Sequence, residues 1–257
     1  MAQLNFQRTG TGYPVVLIHG YCETLEIWRD FVPLLSPYLD VTTIDLPGFG
    51  QSTPLAEPFT LDMVADQVAD FIKAQQFNQK PVPIGHSLGG YVVLSLVARH
   101  PGLINGAGLF HSTAFDDSAE KKANRNKAIE FVNRNGPRPF VDNLIPNLFA
   151  SRKIDSVQRA LDIGYQTPAA TVTAYAAAMR DRPDRSSVLA DLGERLLIIA
   201  GEQDSVVPEA VSREMAQLAK NAVFALLSGV GHMGMLEAPE ACAGAVLSFM
   251  RKNRLER

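Results

Sequence analysis

The sequence predicts an α/β fold: a mostly parallel central sheet with helices on both faces and a long helical insertion. Short apolar runs alternate with helix-like segments at PVVLIHG (14–20), VTTIDLPG (41–48), PVPIG (81–85), INGAGLFH (104–111), RLLIIAG (195–201) and AVFALLSG (222–229). Such alternation builds a parallel sheet covered on both sides. Residues 113–190 then offer helix-forming stretches and no strand-like run, over a length far beyond an ordinary connection. The expected division is a core of 1–112 and 191–257 with a helical cap at 113–190.

In chain order, LNFQRTGTG (4–12) reads as an antiparallel edge strand and a turn. Its GTG lacks the third glycine and the preceding strand of a dinucleotide-binding loop. A helix is expected near 26–36. In TLDMVADQVADFIKAQQF (60–77), Leu61, Val64, Val68, Phe71 and Ile72 share one face behind a capping Thr60. PVPIG carries Pro81 and Pro83, which have no backbone N–H to give. The expectation is a short strand, Val82 to Gly85, with Pro83 at a break in the ladder. Further helices are expected near 88–99, 208–219 and 239–252. Within the insertion, helices are expected at 119–136, 139–150 and 168–181, separated by Gly136, Pro137, Pro146 and Pro168. The basic stretch Lys121 to Arg138 reads more readily as a solvated helix face than as an attractor for an anionic substrate.

Composition excludes several classes. With 46% hydrophobic residues, 20% charged residues and a formal net charge of -3, no field favours nucleic acid or an anionic membrane. The opening MAQLNFQRTGTG has no signal-peptide core, and no run reaches the roughly 18 apolar residues of a membrane span. A soluble, cytoplasmic protein is expected. The two cysteines, Cys22 and Cys242, are far apart and lack metal-ligand spacing, which argues against a disulfide framework or a structural zinc.

Gly85-His86-Ser87-Leu88-Gly89 matches G-x-S-x-G between a strand-like run and the apolar helix YVVLSLVARHP, the context of a nucleophile elbow. A serine hydroxyl needs a base, and the base needs an orienting acid. His19, His86 and His100 have structural explanations at a strand end, within the elbow and before Pro101. His232, in the glycine-broken loop after the last strand-like run, lies where a base is needed. His111 reads as a hydrogen-bonded wall of the site rather than the base. Asp204, three residues past Gly201, is preferred as the acid to Glu202, which is expected to face solvent or a helix end. The oxyanion hole needs two N–H donors. Leu88 is one, and Tyr21, after His19-Gly20, is the first choice for the other. Cys22, His111, Val206, Val207 and Met233 are expected as pocket walls, and Cys22 is not expected as a nucleophile.

The motifs LIHGY, DLPGFGQS, GHSLGG, GEQDSVVP and GHMGMLEAPE, taken in this order, resemble the α/β-hydrolase superfamily over nearly the whole chain. The nearest shapes are small carboxylesterases and enol-lactone hydrolases. The resemblance implies that Ser87, Asp204 and His232 form the triad, Tyr21 and Leu88 the oxyanion hole and 113–190 the cap. It implies a small ester or lactone substrate and no metal or organic cofactor. The short HGY loop argues against lipases with a glycine-rich loop, and serine at the elbow against enzymes with a carboxylate nucleophile. A lyase, a carbon–carbon bond hydrolase, a perhydrolase and a ligand-sensing regulator remain open on the same scaffold.

Overall fold

The structure is a computed structural model that describes residues 3–150 and 154–253. The strands are β1 (Phe6–Thr9), β2 (Tyr13–Ile18), β3 (Leu39–Ile44), β4 (Val82–His86), β5 (Ala107–Phe110), β6 (Leu196–Gly201) and β7 (Val223–Leu227). They form a seven-stranded sheet in the order β1-β3-β2-β4-β5-β6-β7. Among the described residues only the β1–β3 pairing is antiparallel, as expected for the N-terminal edge. The chain leaves β2 for β3 on one side and reaches β4 on the other. The order therefore reverses at β2/β4, where a crevice opens at the carboxyl ends of the strands.

The helices are α1 (Val32–Leu35), α2 (Leu61–Ala74), α3 (Leu88–Arg99), α4 (Ala119–Asn135), α5 (Pro137–Leu144), α6 (Ile154–Gly164), α7 (Ala169–Arg180), α8 (Ser187–Leu192), α9 (Glu209–Leu218), α10 (Gly234–Glu237) and α11 (Pro239–Lys252). Thr60 caps α2 by accepting the Met63 N–H, and the apolar face read from its spacing is buried. No helix among the described residues is long and apolar enough to cross a membrane.

The single helix expected near 26–36 is two pieces, a 3-10 turn at Leu25–Trp28 and α1. Pro33 cannot donate to the Arg29 carbonyl, so a continuous helix would lose that bond. The insertion holds the three expected helices, although α5 begins at Pro137 and closes in a 3-10 turn at Ile145–Leu148. Proline is favourable in a first turn, where its missing N–H would have no partner. α6 and α8 were not expected.

Pro83 escapes the ladder on one side only. The Asn105 N–H donates to the Pro81 carbonyl and the Ser87 N–H to that of Phe110, so residues 81, 83, 85 and 87 address β5. β4–β5 pairing begins one residue after Pro83, at Ile84 opposite Gly108. Toward β2, Pro83 lies in regular register with Val16. The strand extends one residue beyond the expected end.

Glycine lets β4, α3 and β2 meet. A Cβ on Gly85 would overlap the Gly89 carbonyl, and one on Gly89 would lie 2.7 Å from the His19 oxygen. These obstacles are backbone and cannot swing away. Gly85→Ala is therefore expected to lower unfolding stability by about 3 kcal/mol, the upper range for an overpacked core. Urea denaturation checks this, and an unchanged midpoint would contradict the packing.

Candidate active site

Ser87 occupies the turn between β4 and α3 with φ 49° and ψ -112°, a left-handed backbone that costs a non-glycine residue about 1–3 kcal/mol. Strand and helix both hold it there. Its N–H donates to the Phe110 carbonyl at 3.0 Å, and its own carbonyl accepts the Gly90 N–H at 3.0 Å and the Ser112 hydroxyl at 2.7 Å. Leu88 follows as the first residue of α3, where a backbone N–H has no acceptor within its helix. The close approach of Gly89 to His19 places this helix start against the end of β2, from which Tyr21 follows.

The Asp204 carboxylate receives four N–H donors. The Val206 and Val207 backbones donate to Oδ1 at 2.9 Å each, His111 Nδ1 to Oδ2 at 3.1 Å, and His232 Nδ1 to Oδ2 at 2.8 Å, with Oδ1 at 3.0 Å. Burial alone would raise the carboxyl pKa. Electrostatic attraction to His232 and the hydrogen bonds from His111 and His232 outweigh it and hold Asp204 well below the usual carboxylate range. An ionised acid can fix the His232 tautomer with its proton on Nδ1, leaving Nε2 as the acceptor.

The elbow connects to His232 through its own histidine. His86 Nε2–H donates to the His232 carbonyl at 2.9 Å, and the two rings lie 5.0 Å apart. His86 Nδ1 donates to Glu23 Oε2 at 3.0 Å, and the same oxygen accepts the Gly20 N–H at 2.7 Å. Burial opposes charge on both groups. Their mutual attraction prevails, raising the His86 pKa and lowering that of Glu23. Glu237 plays a related part for the histidine loop, accepting N–H groups from Gly231, Met233 and Ala150.

The structure thus brings Asp204 and His232 into direct contact, with Ser87 one residue from the side chain that holds the His232 backbone. His111, read as a hydrogen-bonded wall residue, places a second imidazole on the acid. Its backbone has φ 48°, and its buried Nε2 has no hydrogen-bond partner among the described residues. Val206 and Val207 act on Asp204 through their backbones, which the side-chain reading did not anticipate. Met233 and Cys22 are fully buried, and burial pushes the Cys22 thiol pKa far up, which suits the reading that it is no nucleophile. Tyr21 is buried, and its hydroxyl donates to the Val172 carbonyl at 2.7 Å. Glu202 accepts from Ser228 and Gly229, away from the histidines. His19 donates to the Gly20 carbonyl and accepts from Leu46, and His100 pairs with Asp66.

Sequence reasoning missed Glu23, His86 and Glu237 as site-building groups. The signal lay in their positions inside HGYCE, GHS and HMGMLE, but the pairings Glu23–His86, His86–His232 and Ala150–Glu237 join distant segments. His111, Asp204 and His232 also place one donor atom each within 4.8 Å of one another and could hold a metal ion. Both Nδ1 atoms already turn to the carboxylate, a contact that charge and hydrogen bonding account for.

Burial lowers the His111 pKa from 6.5 to about 4, only partly offset by Asp204. The folded chain keeps this ring neutral where the unfolded chain protonates it. The associated stability is present above the ordinary value and is lost as pH falls from 6.5 toward about 4. His111→Gln is expected to melt with a shallower pH dependence across that window. Parallel slopes in thermal melts of the two proteins would remove His111 as the source.

The alpha/beta hydrolase fold family model matches residues 13–239. A 2-hydroxy-6-oxo-6-(2'-aminophenyl)hexa-2,4-dienoic acid hydrolase from Metapseudomonas resinovorans is 28% identical, covering 97% of this chain and 88% of that protein. Among solved structures, a thermophilic esterase from Thermogutta terrifontis superposes with a TM-score of 0.92 at 29% identity, covering 98% of this chain and 94% of that one. The enol-lactonase from Burkholderia xenovorans LB400 shares the fold with a TM-score of 0.88 at 22% identity, covering 97% of each chain. With its reversed strand order, its serine elbow and a family match that runs from β2 into the start of α11, the chain belongs to the alpha/beta hydrolase fold family.

Proposed function

We propose that the protein is a serine hydrolase that cleaves a small carboxylic ester or lactone through an acyl-enzyme intermediate. The observation that carries this reading is the buried Asp204–His232 pair, at 2.8 Å, tied through His86 to the elbow that presents Ser87. His232 Nε2 removes the Ser87 proton as the hydroxyl attacks the carbonyl. The Leu88 and Tyr21 N–H groups hold the oxyanion, and the collapsing intermediate takes the proton from His232 onto the leaving alcohol. Water then enters by the same route and releases the acid. Asp204 stays ionised throughout and stabilises the imidazolium.

The helices between β5 and β6 act as the cap in this proposal. They are joined to the carboxyl-edge loops at Tyr21–Val172, Thr171–Gly48, Tyr175–Pro47 and His232–Leu148, all within 2.9 Å. Those contacts support a cap that shapes the substrate site.

A second reading is favoured by the Metapseudomonas relative. The substrate in its name has a ketone and no ester, so hydrolysis of such a compound breaks a carbon–carbon bond. The two readings separate on substrate. Short p-nitrophenyl esters and lactones are turned over under the first, whereas under the second a 2-hydroxy-6-oxo-dienoic acid is strongly preferred in kcat/KM.

Ser87→Ala is expected to lower kcat on p-nitrophenyl acetate by about 10⁴-fold or more, and a fluorophosphonate is expected to label Ser87. Normal turnover by the variant, or labelling elsewhere, would defeat both readings. Asp204→Asn is expected to cost about 10⁴-fold in kcat through the wrong imidazole tautomer, which the same assay measures.

A further inference from the structure

We infer that Glu23 and His86 form a positioning couple for the reaction proposed above, holding the Tyr21 loop, the Ser87 elbow and the His232 backbone in one register. The inference rests on that reading of the site. One oxygen, Glu23 Oε2, accepts both the Gly20 N–H and His86 Nδ1–H, while His86 Nε2–H reaches the His232 carbonyl. Three segments that must agree in position to within a fraction of an ångström are thereby joined by two side chains. Neither side chain is a catalytic residue: the hydrogen bonds of each go to other groups of the protein, and each acts through its neighbours.

The arrangement makes a demand that packing alone would not. Both His86 nitrogens face acceptors, so both must carry protons. A neutral ring has one N–H and must release either Glu23 or the His232 carbonyl. The charged or titratable groups facing His86 are Glu23 and His19 from the end of β2, His111 from β5, Asp204 from the loop after β6 and His232 from the loop after β7. Among these, Glu23 alone is an anion hydrogen-bonded to the ring. An apolar pair would fill the same space and leave the Gly20 peptide and the His232 carbonyl without partners.

Glu23→Gln tests the couple, because the amide oxygen can replace Oε2 while the charge is removed. His86 then lacks the counterion that keeps it doubly protonated. The expected result on a p-nitrophenyl ester is a kcat about tenfold below wild type near about pH 8, with KM within about threefold. Part of the loss is expected to return as pH is lowered toward about 6.5, where wild type shows no such gain. Fluorophosphonate labelling of Ser87 is expected to slow in parallel. A variant with wild-type kcat and labelling rate overturns the couple while leaving the hydrolase reading intact, and so does a pH-independent loss shared by KM. Failure of the wild type to label at Ser87 defeats the hydrolase reading and the couple with it. Should Glu23→Gln not fold, His86→Gln gives the deciding measurement: its amide serves one acceptor, so kcat is expected to fall with KM retained, and full kcat overturns the inference.

Discussion

A buried negative charge at Asp204 is the constraint around which the site is built. An isolated carboxylate would be driven toward protonation by its surroundings, and a protonated acid could not orient an imidazolium. Backbone N–H groups of Val206 and Val207 fix one oxygen, and two imidazoles share the other. The first pair comes from the turn that follows β6, so acid and clamp are made by one short loop. The second pair comes from the residue after β5 and the loop after β7, so the charge ties together loops from the two strands that flank β6. Removing a donor leaves an oxygen buried with less than its full complement, a cost of about 1–3 kcal/mol apart from any effect on chemistry.

Backbone strain gathers at the same edge of the sheet. Cys22, Ser87 and His111 have φ of 58°, 49° and 48°, each close behind a parallel strand. The structure sustains them because what lies beneath is rigid: every residue of β2 is buried, and α3 is buried from Leu88 through Val97. Close approach of glycines at the elbow supplies the geometry, and that packed layer supplies the resistance to relaxation. Glu23 and His86 lie between the two. As a buried ion pair they are a poor source of net stability, but losing one partner would leave an uncompensated charge at a cost of about 3–5 kcal/mol.

The parallel strands, the capped α2 and α11 were legible because their signals are local: apolar runs, a threonine before a periodic face, and a proline opening Pro239–Lys252. The order of Ser87, Asp204 and His232 was legible because each follows a recognisable strand end. The break between the 3-10 turn and α1 turned on a single proline inside an otherwise helical pattern. α6 carries a local period in Val157, Ala160 and Leu161 that was not read, whereas the six-residue α8 is too short to show one. The second imidazole on Asp204 was beyond local reasoning, since the contact joins residues 93 apart in sequence. His86 was read as a residue of the elbow with a structural explanation, but its reach to the His232 carbonyl spans 146 residues, and no spacing rule encodes such a distance.

The His232 N–H donates to the Leu148 carbonyl at 2.7 Å, and Ala150 donates to the Glu237 side chain that shapes the same loop. The insertion is therefore not a uniform segment for an engineer. Its helix α4 is polar around most of its surface, with Val132 as its buried residue. Residues 148–150 are a splice point whose backbone must be inherited with the histidine loop. A chimera that exchanges the insertion for that of a relative should keep this junction from the same parent as residues 231–237, and move its crossover into the segments on either side.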